Sequence, residues 1–211
     1  MPCKSPGEND DANSRARDQL ILGPPPRISP MKPNEITEEA HEITQALRKA
    51  SGAPPISHVP DYLATILRHP NLARPSLEIG RQMLGASTLP LRERELVILR
   101  NAWLLQAPYE WGEHVKIGKR VGLSSEEIAR CVEGSSGPGW NEKERAILRT
   151  AEELYEDAMV TDETWAMLAR HYNEMQLIEL LIMIGQYTAT AYVQNALRTK
   201  PDPGNPGLAA R

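Results

Sequence analysis

Between Thr37 and Arg198 the sequence is punctuated by helix starts and stops, and no stretch sustains the two-residue alternation of a half-buried strand. Thr37 ahead of two glutamates opens a helix that Gly52 closes. Short helices are expected over residues 61–68 and 72–84. Pro90 and Pro108 sit where a first helical turn tolerates proline, giving helices over 91–105 and 108–122. Ser124 with Glu127, and Asn141 with Glu144, have the spacing of capping boxes. Further helices are expected over 161–172 and 174–198. The chain is therefore expected to be all-α, a single-domain helical bundle with short connections.

The flanks read differently. Residues 1–33 hold seven prolines and little apolar content, and residues 200–211 hold three more prolines. Such segments bury too little surface to offset their ordering entropy, so both are expected to be disordered around a domain at 34–199. A net charge of −4 argues against nucleic acid as a partner. The first residues carry acids and no apolar run, so no secretory signal is expected. The apolar stretch 177–193 contains Glu179 and is short for a membrane span. The expectation is a cytoplasmic protein with no membrane partner. Two cysteines, Cys3 and Cys131, are too few for a disulfide framework or a four-cysteine zinc site.

Candidate chemistry concentrates in residues 91–122. Glu95 has Leu91, Ile98 and Leu99 three and four residues away, with Ala102 further along the same stripe. A carboxylate so placed must find a partner, for which Arg92 is one candidate, or take up a proton. His114 lies one turn after Glu110, so the two can meet on one face, as a general base and its orienting carboxylate do. A short link at Ala107–Pro108 makes the two helices antiparallel neighbours, which can set Glu95 opposite His114. Tyr109 and Trp111 would add an apolar wall with polar tips.

The segment ERELVILRNAWLLQAPYEWGEHVKIGKRVGLSSEEI, together with residues 139–198, resembles the carboxymuconolactone decarboxylase and alkylhydroperoxidase D superfamily. The resemblance implies an all-helical protomer in a homo-oligomer, a trimer or hexamer, with sites near subunit contacts. The peroxidase branch carries Glu, eleven residues, Cys, two residues, Cys, three residues, His. On this chain the Glu is Glu95 and the His is His114, while the cysteine slots hold Ala107 and Glu110. Thiol chemistry lacks its thiols there. The resemblance then implies a cofactor-free lyase or isomerase, of the decarboxylase type, acting on a small lactone or aromatic-derived organic acid. Catalytic roles would fall to Glu95 and His114 as proton relay and to Glu110 as the group tuning His114. Substrate-binding roles would fall to Tyr109 and Trp111, to Arg92 or Arg100 as the cation for a carboxylate, and to Gln186, which interrupts an apolar helix. Thiol peroxidase activity and a catalytically silent binding or assembly protein are the alternatives. No histidine pair has zincin spacing, and no metal is expected.

Overall fold

The computed structural model describes residues 6–211, with side chains from residue 12 onward. Among these residues the helices are α1 (Pro6–Leu22), α2 (Glu38–Ala50), α3 (Asp61–Ile66), α4 (Pro70–Gly85), α5 (Leu91–Leu104), α6 (Pro108–Arg120), α7 (Ser125–Glu133), α8 (Glu142–Asp157), α9 (Asp162–Ala169) and α10 (Glu174–Leu197). Short 3₁₀ turns occur at Pro33–Glu35, Gly134–Ser136 and Gly207–Ala209, and no strand is present among the described residues. The all-α expectation holds. No helix among them is long and apolar enough to cross a membrane.

The helix starts are the ones the local chemistry dictates. Ser124 and Asn141 accept from the backbone N–H three residues on, and Glu127 and Glu144 return the bond to the cap N–H. Asn173 with Gln176 does the same for α10.

Helix α5 is the centre of the molecule. Residues Arg94 to Leu99 are all buried, so no side of the middle of this helix meets water. It packs against α6, α7, α8 and α10. One apolar cluster joins it to α8, α9 and α10 through Val97, Ile98, Ile147, Leu180 and Met183. A second joins it to α6 and α7 through Leu96, Leu99, Trp111, Val115 and Ile128. A third, smaller cluster around Leu63, Ala73 and Leu77 ties α2, α3 and α4 together. The turn from α5 to α6 passes through Gln106 at φ +48°, a left-handed residue other than glycine. Its carbonyl is held by Arg17 Nε of α1 at 3.2 Å.

Within the flanks expected to be disordered, residues 12–33 and 200–211 lie against the core, and the Arg17 contact is one of several they make. Ile21 of α1 is buried, and Asp18 accepts from the backbone N–H of Leu208. Residues 23–33 run along the surface, with Arg27 N–H bonded to the Leu197 carbonyl and Met31 N–H to that of Ala64. Lys200 Nζ reaches back to the carbonyls of Leu22 and Pro24. Leu208 is fully buried, and the Trp111 indole donates to the Ala210 carbonyl at 3.0 Å. A few anchors suffice here, and average composition does not register them. Cys3 lies outside the described residues.

Candidate active site

The site grows from the antiparallel pair α5 and α6. Glu95 is wholly buried, and each of its oxygens has a partner. Oε1 accepts from Arg94 Nε at 2.8 Å, and Oε2 lies 2.8 Å from His114 Nδ1. A carboxylate only accepts, so the hydrogen-bond network assigns a proton to Nδ1 and leaves Nε2 as the ring nitrogen open to proton exchange. Arg94 itself is 2 % exposed. Its Nη1 donates to the Leu84 carbonyl at 2.6 Å, one of the orphan acceptors at the C-terminal end of α4. The partner of Glu95 is thus Arg94 together with His114. The Arg92 suggested by helix spacing is engaged elsewhere.

His114 opens onto a cavity of about 200 Å³. Its walls come from α2 (Thr44, Leu47, Arg48), α3 (Tyr62, Leu63), α4 (Ser76, Leu77, Leu84), α6 and α10 (Gln186, Tyr187, Thr190). From α6 come Tyr109, Glu113, His114 and Ile117, which at 3.6 residues per turn span about 140° of arc. The Tyr187 ring meets the His114 ring edge-on, with centroids 4.9 Å apart. Tyr62 and Tyr109 stack obliquely at 6.0 Å. Burial pushes the Tyr62 phenol up to about 12 and holds Tyr109 and Tyr187 well above the usual range. All three keep their protons and can donate.

Several sequence-expected residues land elsewhere. Glu110 is buried, and neither carboxyl oxygen has a hydrogen-bond partner. It does not orient His114, because Glu95 already occupies Nδ1. Burial holds its carboxyl well above the ordinary carboxylate range, so it sits there as a neutral acid. Trp111 lies about 60° outside the α6 cavity face, in the cluster under the C-terminal segment, and shapes no cavity wall. Arg92 pairs with Glu127 and Glu144, and Arg100 pairs with Glu152 and the carbonyls of Cys131 and Val132. Neither guanidinium lines the cavity. Tyr109 and Gln186 do, and the Gln186 amide donates to Ser76 Oγ at 3.0 Å. Sequence spacing missed Arg94, which reaches its immediate neighbour, and Arg48, whose helix precedes the motif by some forty residues.

Cys131 is buried on α7, away from the cavity, and burial pushes its thiol up to about 12. The lost thiolate fraction alone should slow its alkylation about a thousand-fold relative to an ordinary thiol. Peptide mass spectrometry after iodoacetamide treatment of native and unfolded protein checks this. Rapid labelling of Cys131 in the native state would contradict it. No group of three or more His, Cys, Asp or Glu among the described residues is arranged to hold a metal ion.

The sequence model of the carboxymuconolactone decarboxylase family matches residues 70–153, from the start of α4 through most of α8, and so takes in both Glu95 and His114. The apo structure of the debrominase Bmp8 superposes with a TM-score of 0.70 at 17% identity, covering 84% of this chain and 92% of its own. Its cysteine-to-alanine variant in complex with 2,3,4-tribromopyrrole superposes equally well. An uncharacterized peroxidase-related protein from Silicibacter sp. TM1040 gives 0.68 at 16% identity, over 82% of this chain and 89% of its own. At such identities the likeness is one of fold alone. No functionally curated protein matches the chain in sequence.

Proposed function

We propose that the chain is a member of the carboxymuconolactone decarboxylase and alkylhydroperoxidase D superfamily, and that it is a cofactor-free lyase or isomerase moving a proton at carbon in a small lactone or aromatic-derived acid. One observation carries the reading: His114 stands between a buried carboxylate and the cavity, with Nδ1 committed to Glu95 and Nε2 left for a substrate.

In an isomerisation, Nε2 removes a proton from carbon next to a carbonyl. The electron pair delocalises onto that oxygen, and the imidazolium returns the proton at another carbon. In a decarboxylation, the pair from the breaking C–C bond enters the conjugated system as carbon dioxide leaves. Protonated His114 then delivers its proton to carbon and is recharged from solvent. In both, Glu95 stabilises the imidazolium, while Arg94 holds Glu95 in place. The neutral Tyr62 and Tyr187 phenols are the donors for the developing oxyanion. Thiol peroxidation is not supported, since no cysteine lines the cavity among the described residues. Assembly into a homo-oligomer belongs to the proposal. An exposed apolar patch of Ile79, Met175, Ile178 and Ile182 favours it.

On a panel of small lactone and aromatic acids, wild-type protein should release carbon dioxide or exchange carbon-bound hydrogen in D₂O. His114→Ala should lose about 10²–10⁴-fold of that rate. Full turnover by this variant would overturn the assignment.

A further inference from the structure

The cavity has one cationic side chain in its wall among the described residues, and it is on α2. Arg48 occupies the last turn of that helix. Its Nε donates to the Pro54 carbonyl, which fixes the plane of the guanidinium. Neither Nη nitrogen has a hydrogen-bond partner or ion pair among the described residues. Beside it stands Arg120, in the last turn of α6. The Arg120 Nη2 donates to the carbonyl of Ser51 at 3.3 Å, and Ser51 is itself a cavity residue.

The two guanidiniums feel each other. Burial, and then the positive charge of Arg48, lower the pKa of Arg120 from its usual value, while Glu95 and Glu113 act in the opposite sense. No carboxylate of the described residues forms an ion pair with either arginine. This contrasts with Arg92, Arg94 and Arg100, each neutralised by a glutamate. Glu113, the acidic residue of the cavity wall, is already engaged by Lys116 Nζ at 2.8 Å and by Asn205 Nδ2 at 2.9 Å. Arg48 is only partly buried and Arg120 is exposed, whereas His114 is buried, so the positive charge stands at the solvent side of the cavity.

We propose that Arg48 and Arg120 form an anion clamp at the cavity mouth, which binds the acid group of the substrate and turns its apolar body inward to His114. Guanidinium forks bind carboxylates in a bidentate, plane-matched way that a lone ammonium cannot reproduce. The wall between mouth and imidazole suits a ring or short chain, with Leu47, Leu63, Leu77 and Ile117 contributing apolar surface. The ligand class is therefore a compact monocarboxylate with an unsaturated or aromatic body. The clamp rests on the reading of this cavity as the reaction site, and it supplies the cation that Arg92 and Arg100 do not.

The test uses benzoate and its neutral isostere benzamide, with dissociation constants from titration calorimetry on the full chain. Wild-type protein should bind benzoate about tenfold or more tightly than benzamide. In the Arg48→Gln/Arg120→Gln double variant that preference should fall to within about twofold. Benzamide affinity should stay unchanged, which shows the cavity intact. His114→Ala should keep the benzoate preference. The clamp is overturned if wild type shows no preference for benzoate, if the double variant retains it, or if neither probe binds at millimolar concentration. An active His114→Ala protein that still prefers benzoate would instead sink the proton-transfer reading and leave the clamp standing.

Discussion

Replacing Glu95 by Ala should destabilise the protein by about 3–5 kcal/mol and silence it at the same time. The variant leaves the Arg94 guanidinium, 2 % exposed, without its counter-ion in the middle of the core. It also leaves His114 without the acceptor that fixes its ring and tautomer. For a chain of this size the loss corresponds to a fall in Tm of roughly 6–20 °C, readable by calorimetry or circular dichroism. A second variant separates the two effects. Arg94→Met combined with Glu95→Leu removes both charges together, and buried pairs exchanged for apolar residues are often neutral or better in stability. The double variant should recover most of the lost Tm and remain inactive. A Glu95→Ala protein with wild-type Tm would mean that Arg94 finds another partner, and the account of the network would fail.

The second large effect concerns the C-terminal segment. A chain ending at residue 202 loses Leu208, which is fully buried, and the Ala210 carbonyl that accepts from the Trp111 indole. It also loses the Arg211 guanidinium, which lies 5.4 Å from the Trp103 ring centroid and 5.7 Å from that of Trp111. Deleting one buried leucine side chain and orphaning one buried N–H together cost at least about 3 kcal/mol. Tryptophan emission should shift to the red as Trp103 and Trp111 meet water. Leu208→Ala, which keeps the Ala210 acceptor, should lower stability by about 2–5 kcal/mol with little change in emission. Unchanged emission and Tm in the shortened chain would contradict the packing described. Asn205 also leaves with the segment, so Glu113 in the cavity wall keeps only its Lys116 contact.

What could be read in advance was local. Ser124, Asn141 and Thr161 cap helices through bonds that span three residues, and nothing distant competes with them. Glu95 and His114 were legible as a pair because a short turn forces their helices antiparallel. The misplacements share a different cause. Trp111 faces a segment a hundred residues away, and its spacing from His114 cannot reveal that. Arg92 and Arg100 point at carboxylates on α7 and α8, so their helix alone could not show that they were already spent. Arg94 escaped the rule of residues three and four apart, because a long side chain can fold back onto its neighbour. Arg48 has no motif around it, and its meaning comes from the cavity that tertiary packing creates. The prolines of the flanks limited helix without preventing docking.

Glu110 has a consequence for how such a chain can change over time. A neutral acid with no partner in a dry interior lowers stability, and an apolar side chain of similar size would relieve the penalty of about 1–3 kcal/mol. Because Glu110 neither lines the cavity nor bonds His114, drift under selection for folding should favour leucine or methionine there without altering the cavity wall.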